Sequence, residues 1–371
     1  MSSEALHKPK HRQIFEHFHE GIVAGKFPVG QRLPSETALC RRFETSRPTV
    51  ARAMRELAMA GLVDRRVGSG TYIRLDKSVG SRLFGLLIPG LGNTEIFEPI
   101  CAEIAREMQA CNYTLLWGHA SSDQADEQDR AVRQLCHQYI EQRVAGIFFA
   151  PIELSPRMEE TNREIAHLLD QAGLPVVLLD RDLESYPQRS KFDLVGIDNR
   201  RAGCLLTRHV LQLGCRTIHF LARPTSAPTV DLRTEGWRDA LTDAGIQPED
   251  SWLWRGEPSD LEFVRQIVES SRPEAIVCAN DVTAARLMQN LLKLGLSIPH
   301  DIRIVGLDDA RHSDLLAVPL TTLRQPCREL GAAAFAAMLQ RIERPSMPAR
   351  DILLDCELIV RQSCGAGDGK K

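Results

Sequence analysis

Ser46-Arg47-Pro48-Thr49-Val50-Ala51-Arg52-Ala53-Met54 reads as the start of a helix with two unlike faces. Ser46 is a capping residue type. Pro48 is tolerated in a first turn, where backbone N–H groups have no partner within the helix. At about 100° per residue, Val50, Ala53, Met54 and Leu57 share one arc, while Pro48, Ala51, Arg52 and Arg55 fall on the opposite arc. The apolar arc must be buried. Arginines among small residues, at the start of a capped helix, suit entry into a DNA major groove. A solvated charged face is the ordinary alternative, so the flanking sequence decides.

Upstream, Ile14, Phe15, Phe18, Ile22 and Val23 recur at helical spacing and predict a helix over 9–25. GKFPVG at 25–30 breaks it. Ser35 is placed to cap a second helix over 36–43, with Leu39 and Phe43 as its core contacts at i, i+4. Downstream, Gly61 ends the third helix, and β-prone runs at 62–67 and 71–73 flank Gly68-Ser69-Gly70 as a hairpin. Three helices and a hairpin make a winged helix-turn-helix over residues 1–75. This segment holds 13 Lys/Arg against 7 Asp/Glu, a formal +6, and leaves −9 to the rest of a chain whose net charge is −3. A basic head on an acidic body fits a nucleic-acid-binding module joined to something else.

Residues 76–82 read as a short polar linker. After it, apolar runs at 83–88, 113–117, 144–150, 175–180, 194–197, 217–221, 275–279 and 302–307 read as strands. They alternate with helices near 97–111, 124–142, 158–172, 200–213, 234–244, 261–270 and 282–294. Continuous apolar strands separated by helices predict parallel sheets covered on both faces. Eight strands divide naturally into two α/β lobes over 83–362, with a ligand at the carboxyl ends of the strands, and a flexible tail over 363–371. Asp180-Arg181, Asn280-Asp281 and Asp308-Asp309 each follow a strand directly. Singly, each reads as a turn or cap. Together they place acceptors and donors suited to sugar hydroxyls at strand ends.

The head resembles the GntR family of regulators, on LPSE at 33–36, SRPTVARAM at 46–54 and AGLVDRRVGSGTYI at 60–73. The resemblance implies DNA contacts from Ser46, Arg47, Thr49 and Arg52, joined by Arg55 on the same arc, with Gly68 at a wing tip in the minor groove. Ala51 and Ser69 stand where that family often has Arg, so the operator sequence does not carry over. The body resembles the LacI/GalR effector domain and periplasmic sugar-binding proteins. PVVLLDRD at 175–182, GIDNRRAG at 196–203, DLRTEGWRDAL at 231–241, AIVCANDVTAA at 275–285, GLSIPHDIRIVGLDD at 295–309 and PLTTLRQP at 319–326 carry that likeness. It implies ligand contacts from Asp180, Arg181, Arg233, Asn280 and Asp308, a ring of Phe97 stacked on the ligand, and Gln325 at a lobe crossover. A GntR-type head on a LacI-type body is the architecture of arabinose-responsive regulators.

The expectation is a cytoplasmic, homodimeric repressor of double-stranded operator DNA, controlled by a small polar effector, a sugar. No enzyme activity, cofactor, metal or membrane partner is expected. No phosphate-binding GxxxxGK[ST], GxSxG or HExxH occurs, and the ten cysteines show no metal-ligand spacing. Aromatic content of 5% does not favour a stacking platform for single strands. After residue 80 the only lysines are Lys191, Lys293, Lys370 and Lys371, which disfavours an aminotransferase-like body. A sugar-transport component is the rival reading; the basic head and the lack of a secretory apolar segment weigh against it.

Overall fold

A computed structural model describes residues 10–23, 27, 30–59, 62–66, 70–73, 83–89, 95–118 and 125–366. The chain divides into two compact units, residues 1–82 and 83–371.

In the first unit, α1 (Lys10–Val23), α2 (Glu36–Arg42) and α3 (Arg47–Met59) enclose a core of Ile14, Phe18, Leu39, Val50, Ala53, Met54 and Leu57. Ser35 Oγ accepts from the amide of Ala38 at 3.2 Å, which starts α2 where the capping residue predicted. β1 (Val63–Arg66) and β2 (Gly70–Ile73) pair antiparallel, Val63 opposite Ile73. The segment before α2 adds a third rung: Leu33 N–H donates to Thr71 C=O and Ile73 N–H to Gln31 C=O, both at 2.8 Å. The expected hairpin is therefore present, and its tip, residues 67–69, lies outside the described residues.

The second unit is a doubly wound α/β structure of two lobes. The first lobe runs β3 (Leu83–Leu87), α4 (Phe97–Ala110), β4 (Thr114–Trp117), α5 (Ala125–Glu141), β5 (Ile147–Phe149), α6 (Met158–Gln171), β6 (Val176–Leu179) and β7 (Asp193–Ile197). The second runs α7 (Asn199–Gln212), β8 (Ile218–Ala222), α8 (Pro228–Asp243), β9 (Leu253–Arg255), α9 (Leu261–Ser271), β10 (Ala275–Cys278), α10 (Asp281–Lys293), β11 (Arg303–Asp308) and β12 (Thr321–Arg324). The chain then returns to the first lobe as α11 (Cys327–Glu343) and β13 (Asp351–Leu354), and ends in the second as β14 (Glu357–Ile359). The two sheets have six strands each, ordered β13-β7-β6-β5-β3-β4 and β14-β12-β11-β10-β8-β9, and all pairs are parallel except β12 with β14. Central strands such as β6 and β10 are buried along their whole length, as continuous apolar runs require.

Four strands and one helix were not predicted. β9, β12, β13 and β14 are three or four residues long and carry polar side chains, so no alternation marks them. α11 is Ala-rich and buries residues from several directions, including Leu330, Ala334, Phe335 and Met338, which leaves no one-sided stripe to read. α8 begins at Pro228, six residues before its predicted start, because its buried side chains include polar Thr229, Arg233 and Thr234. The tail predicted from residue 363 is packed through Cys364: Ser363 Oγ donates to Ile304 C=O at 2.6 Å and accepts from Thr321 N–H, and both residues are fully buried.

Close packing of α7 on α8 positions the site. A Cβ on Gly236 would lie 1.8 Å from the Arg200 carbonyl oxygen, and one on Gly203 would lie 2.0 Å from that of Arg233. Glycine at both positions lets the two backbones touch.

Candidate functional site

Two groups of residues were singled out from the sequence, one in each unit. On α3 the predicted arcs are present: Val50, Ala53, Met54 and Leu57 are buried, and Ser46, Arg47, Pro48, Arg52 and Arg55 are exposed. Thr49 is half-buried, and Ser46 Oγ lies 2.9 Å from its hydroxyl. Arg52 pairs with Glu56 one turn on (3.0 Å), and Arg47 reaches toward Thr37 Oγ1 (3.5 Å). Exposed pairs of this kind are weak, so these side chains are free to exchange partners. Gly68 and Ser69 lie outside the described residues.

In the body, a cleft lies between the lobes at the strand ends. Asp180, Arg181, Arg233, Asn280 and Asp308 all line it, so five of the seven predicted residues converge. Asp180 follows β6 with φ +70°, and Asp308 closes β11 with φ +126°. Left-handed backbone at a non-glycine residue costs about 1–3 kcal/mol and concentrates at functional sites.

Arg181 is buried and bonds Glu153 through Nη1 at 2.6 Å. Its guanidinium lies over the Phe97 ring, 5.6 Å from the centroid. Phe97 is thus the buried floor beneath Arg181, with 1% exposure, and not a wall of the cleft as the stacking role required. Gln325, also buried, donates from Nε2 to Asp308 Oδ1 at 2.8 Å from behind the cleft. Asn280 caps α10, its Oδ1 accepting from Thr283 N–H at 2.9 Å. From α8, Arg233 donates through Nε to Asn199 Oδ1 (2.8 Å) and through Nη1 to the Ala279 carbonyl (2.7 Å).

Sequence reasoning missed Glu153, Arg223, Ser226 and Thr229, which also line the cleft. They sit in the loops after β5 and β8 and at the start of α8, and no strand-end motif marks them.

The charges are unequal in environment. Burial pushes the Asp308 carboxyl well above the ordinary 3.8, and Asp281 adds to this, against the pull of Arg233. Burial likewise raises Asp180, although Arg181 and Arg233 oppose it. For Glu153 burial also acts upward, but the Arg181 guanidinium outweighs it and holds that carboxyl below its usual range. Among the described residues, Asp180 Oδ1 is buried without a hydrogen-bond partner, while Asp180 Oδ2 lies 3.4 Å from Arg181 Nε in an ion pair. A desolvated acceptor without a donor is an arrangement that a polar ligand or ordered water completes.

Residues 10–73 match the model of the bacterial regulatory proteins of the gntR family, and residues 207–364 match a periplasmic binding protein-like domain. The chain carries a GntR-family head on a periplasmic-binding-protein-like body. Over 369 residues it is 28% identical to the arabinose metabolism transcriptional repressor of Geobacillus stearothermophilus, covering 96% of this chain and 97% of that one. The crystal structure of the transcription regulator GntR from Chromobacterium violaceum superposes with a TM-score of 0.59 at 26% identity, over 76% of this chain and 99% of that one. A periplasmic binding protein/LacI transcriptional regulator from Alkaliphilus metalliredigens, complexed with D-xylulofuranose, shares the fold at a TM-score of 0.62 and 22% identity, over 76% of this chain and 99% of its own. Among the described residues no group of His, Cys, Asp and Glu could hold a metal ion, and no helix is long and apolar enough to cross a membrane.

Proposed function

We infer that this chain is a DNA-binding transcriptional regulator, a repressor, whose operator affinity is set by a small neutral polyhydroxyl ligand, a sugar, held between the lobes. One observation carries the ligand reading: Asp180 and Arg181 of the first lobe line the same cleft as Arg233 and Asp308 of the second, and the buried Asp180 Oδ1 has no hydrogen-bond partner among the described residues. A polyol donates to carboxylates and accepts from guanidinium groups, so one molecule can satisfy both lobes. Arg181 pairs with Glu153 and Arg223 with Glu257 at 3.1 Å, so two of the three cleft arginines are already neutralised by carboxylates. The relative that spans nearly the whole chain is an arabinose repressor, which supports the sugar class.

The exposed face of α3, with Ser46, Arg47, Thr49, Arg52 and Arg55, is the proposed reading surface for double-stranded DNA, supported by its exposure and by the family match of the head. A homodimer presenting two such helices would read a palindromic operator. Ligand would shift the lobes between two arrangements, and DNA affinity would follow.

Selection of binding duplexes from random DNA by the full chain, followed by a thermal-shift screen of neutral sugars, tests the proposal. A binder at 100 times its Kd adds about 2.7 kcal/mol of stability. No enriched duplex, or no stabilising sugar among pentoses, hexoses and their disaccharides, would contradict it.

A further inference from the structure

Among the described residues, one hydrogen-bonded contact between the lobes at the cleft rim is built from charged groups. Glu95, at the entry to α4 in the first lobe, accepts from the Arg311 backbone N–H through Oε2 (2.5 Å). Its Oε1 lies 3.0 Å from His312 Nδ1, which must carry the proton to bond a carboxylate. Arg311 Nη2 also reaches Glu98 Oε2, in the first turn of α4, at 3.2 Å. Burial would raise the Glu95 carboxyl, but the His312 and Arg311 hydrogen bonds hold it below its usual range.

Both halves of this contact are rigidly mounted. On the first lobe, Ile96 and Phe97 beside Glu95 are buried in the core. On the second, the buried Asp281 carboxylate fixes the loop that carries Arg311 and His312. It accepts from Ala310 N–H at 3.0 Å and from Ser313 Oγ at 2.6 Å. Arg324 and Arg361 clamp the preceding Asp309 at 2.7 and 2.6 Å. A bond between two rigid mounts transmits force to the lobes, whereas a bond between loose loops would not. A backbone bond, Leu154 N–H to Thr225 C=O at 3.1 Å, also crosses the lobes. Both of its residues are in left-handed backbone, with φ +58° and +55°.

We propose that Glu95 with Arg311 and His312 forms a latch across the mouth of the cleft that holds the lobes together, so that its opening limits ligand exchange. None of the three belongs to the residues proposed above to hold the ligand. The inference rests on the cleft being the ligand's site, but its test uses ligand-free protein, so failure of the latch is distinguishable from failure of the ligand reading.

Amide hydrogen exchange of the ligand-free full chain, wild type against Glu95→Ala, is the experiment. The reporter is the Leu154 amide, which crosses the lobes and does not touch Glu95. If the latch closes the lobes, its exchange rises at least about tenfold, the factor that loss of one charge-assisted hydrogen bond sets. Amides of β10 should stay protected. Unchanged exchange at Leu154, with faster exchange at Arg311 alone, would reduce the contact to a local one and overturn the proposal. Should Glu95→Ala also release β10, the milder His312→Asn is read by the same criterion.

Discussion

Gln325 Nε2 donates to Asp308 Oδ1 at 2.8 Å, which ties a crossover between the lobes to a carboxylate that faces the cleft. Gln325 stands between β12 and α11, where the chain leaves the second lobe for the first. A ligand that binds Asp308 therefore acts on a group already bonded to a hinge segment. This is a direct physical link between occupancy of the cleft and the relative position of the lobes.

The raised Asp308 carboxyl makes a stability prediction. Its folded value lies above the ordinary 3.8, so the folded protein holds that proton more tightly than the unfolded chain does. Stability is then fully present below the unfolded value and falls as pH rises toward the folded one. Asp308→Asn removes this loss and can still accept from Gln325. Thermal melts of ligand-free protein should show the variant above wild type at pH 7, with the difference closing toward pH 4. A variant less stable than wild type at pH 7 would mean that the charged carboxylate stabilises the empty cleft.

Arg47→Ala and Arg52→Ala should each weaken binding to the selected duplex by roughly 1–3 kcal/mol if the side chain reads a base. Melting temperatures should barely move, because the pairs with Thr37 and Glu56 are exposed. Fluorescence anisotropy titrations measure the affinity. Wild-type affinity in both variants would place the DNA face elsewhere on the head.

Gly236→Ala tests the contact of α7 with α8. The added Cβ would sit 1.8 Å from the Arg200 carbonyl, so the backbones must separate. Overpacking of this kind typically costs about 1–3 kcal/mol. Arg233 lies one turn earlier on the same helix, so its bonds to Asn199 and Ala279 should loosen and sugar-induced stabilisation should shrink. Calorimetry reads both effects. A variant with wild-type stability and ligand response would show that the helices can part without consequence.

The head was legible almost to the residue, because capping and helical periodicity are local signals: Ser35 and the Val50, Ala53, Met54, Leu57 arc needed no tertiary knowledge. The central strands were legible for a similar reason, since a fully buried parallel strand must be apolar throughout. α11 and the start of α8 were not, because helices buried on more than one side, or facing a polar cleft, lose the one-sided pattern. The cleft followed the same division. Asp180 and Asp308 are marked by the strands before them, whereas Glu153 and Arg223 reach the site from loops. Phe97 was expected to stack on the ligand, but its ring lies under Arg181, a relation set by packing alone.

The most direct test of the whole account is the operator affinity of wild type and Asp308→Ala, each with and without the sugar that most stabilises the wild-type chain. The account predicts a ligand-dependent change in wild-type affinity, no such change for Asp308→Ala at the same sugar concentration, and equal ligand-free affinity for the two proteins. A variant that still responds at wild-type sugar concentrations, or that no longer binds the duplex without ligand, would contradict the assignment of the cleft as the regulatory site.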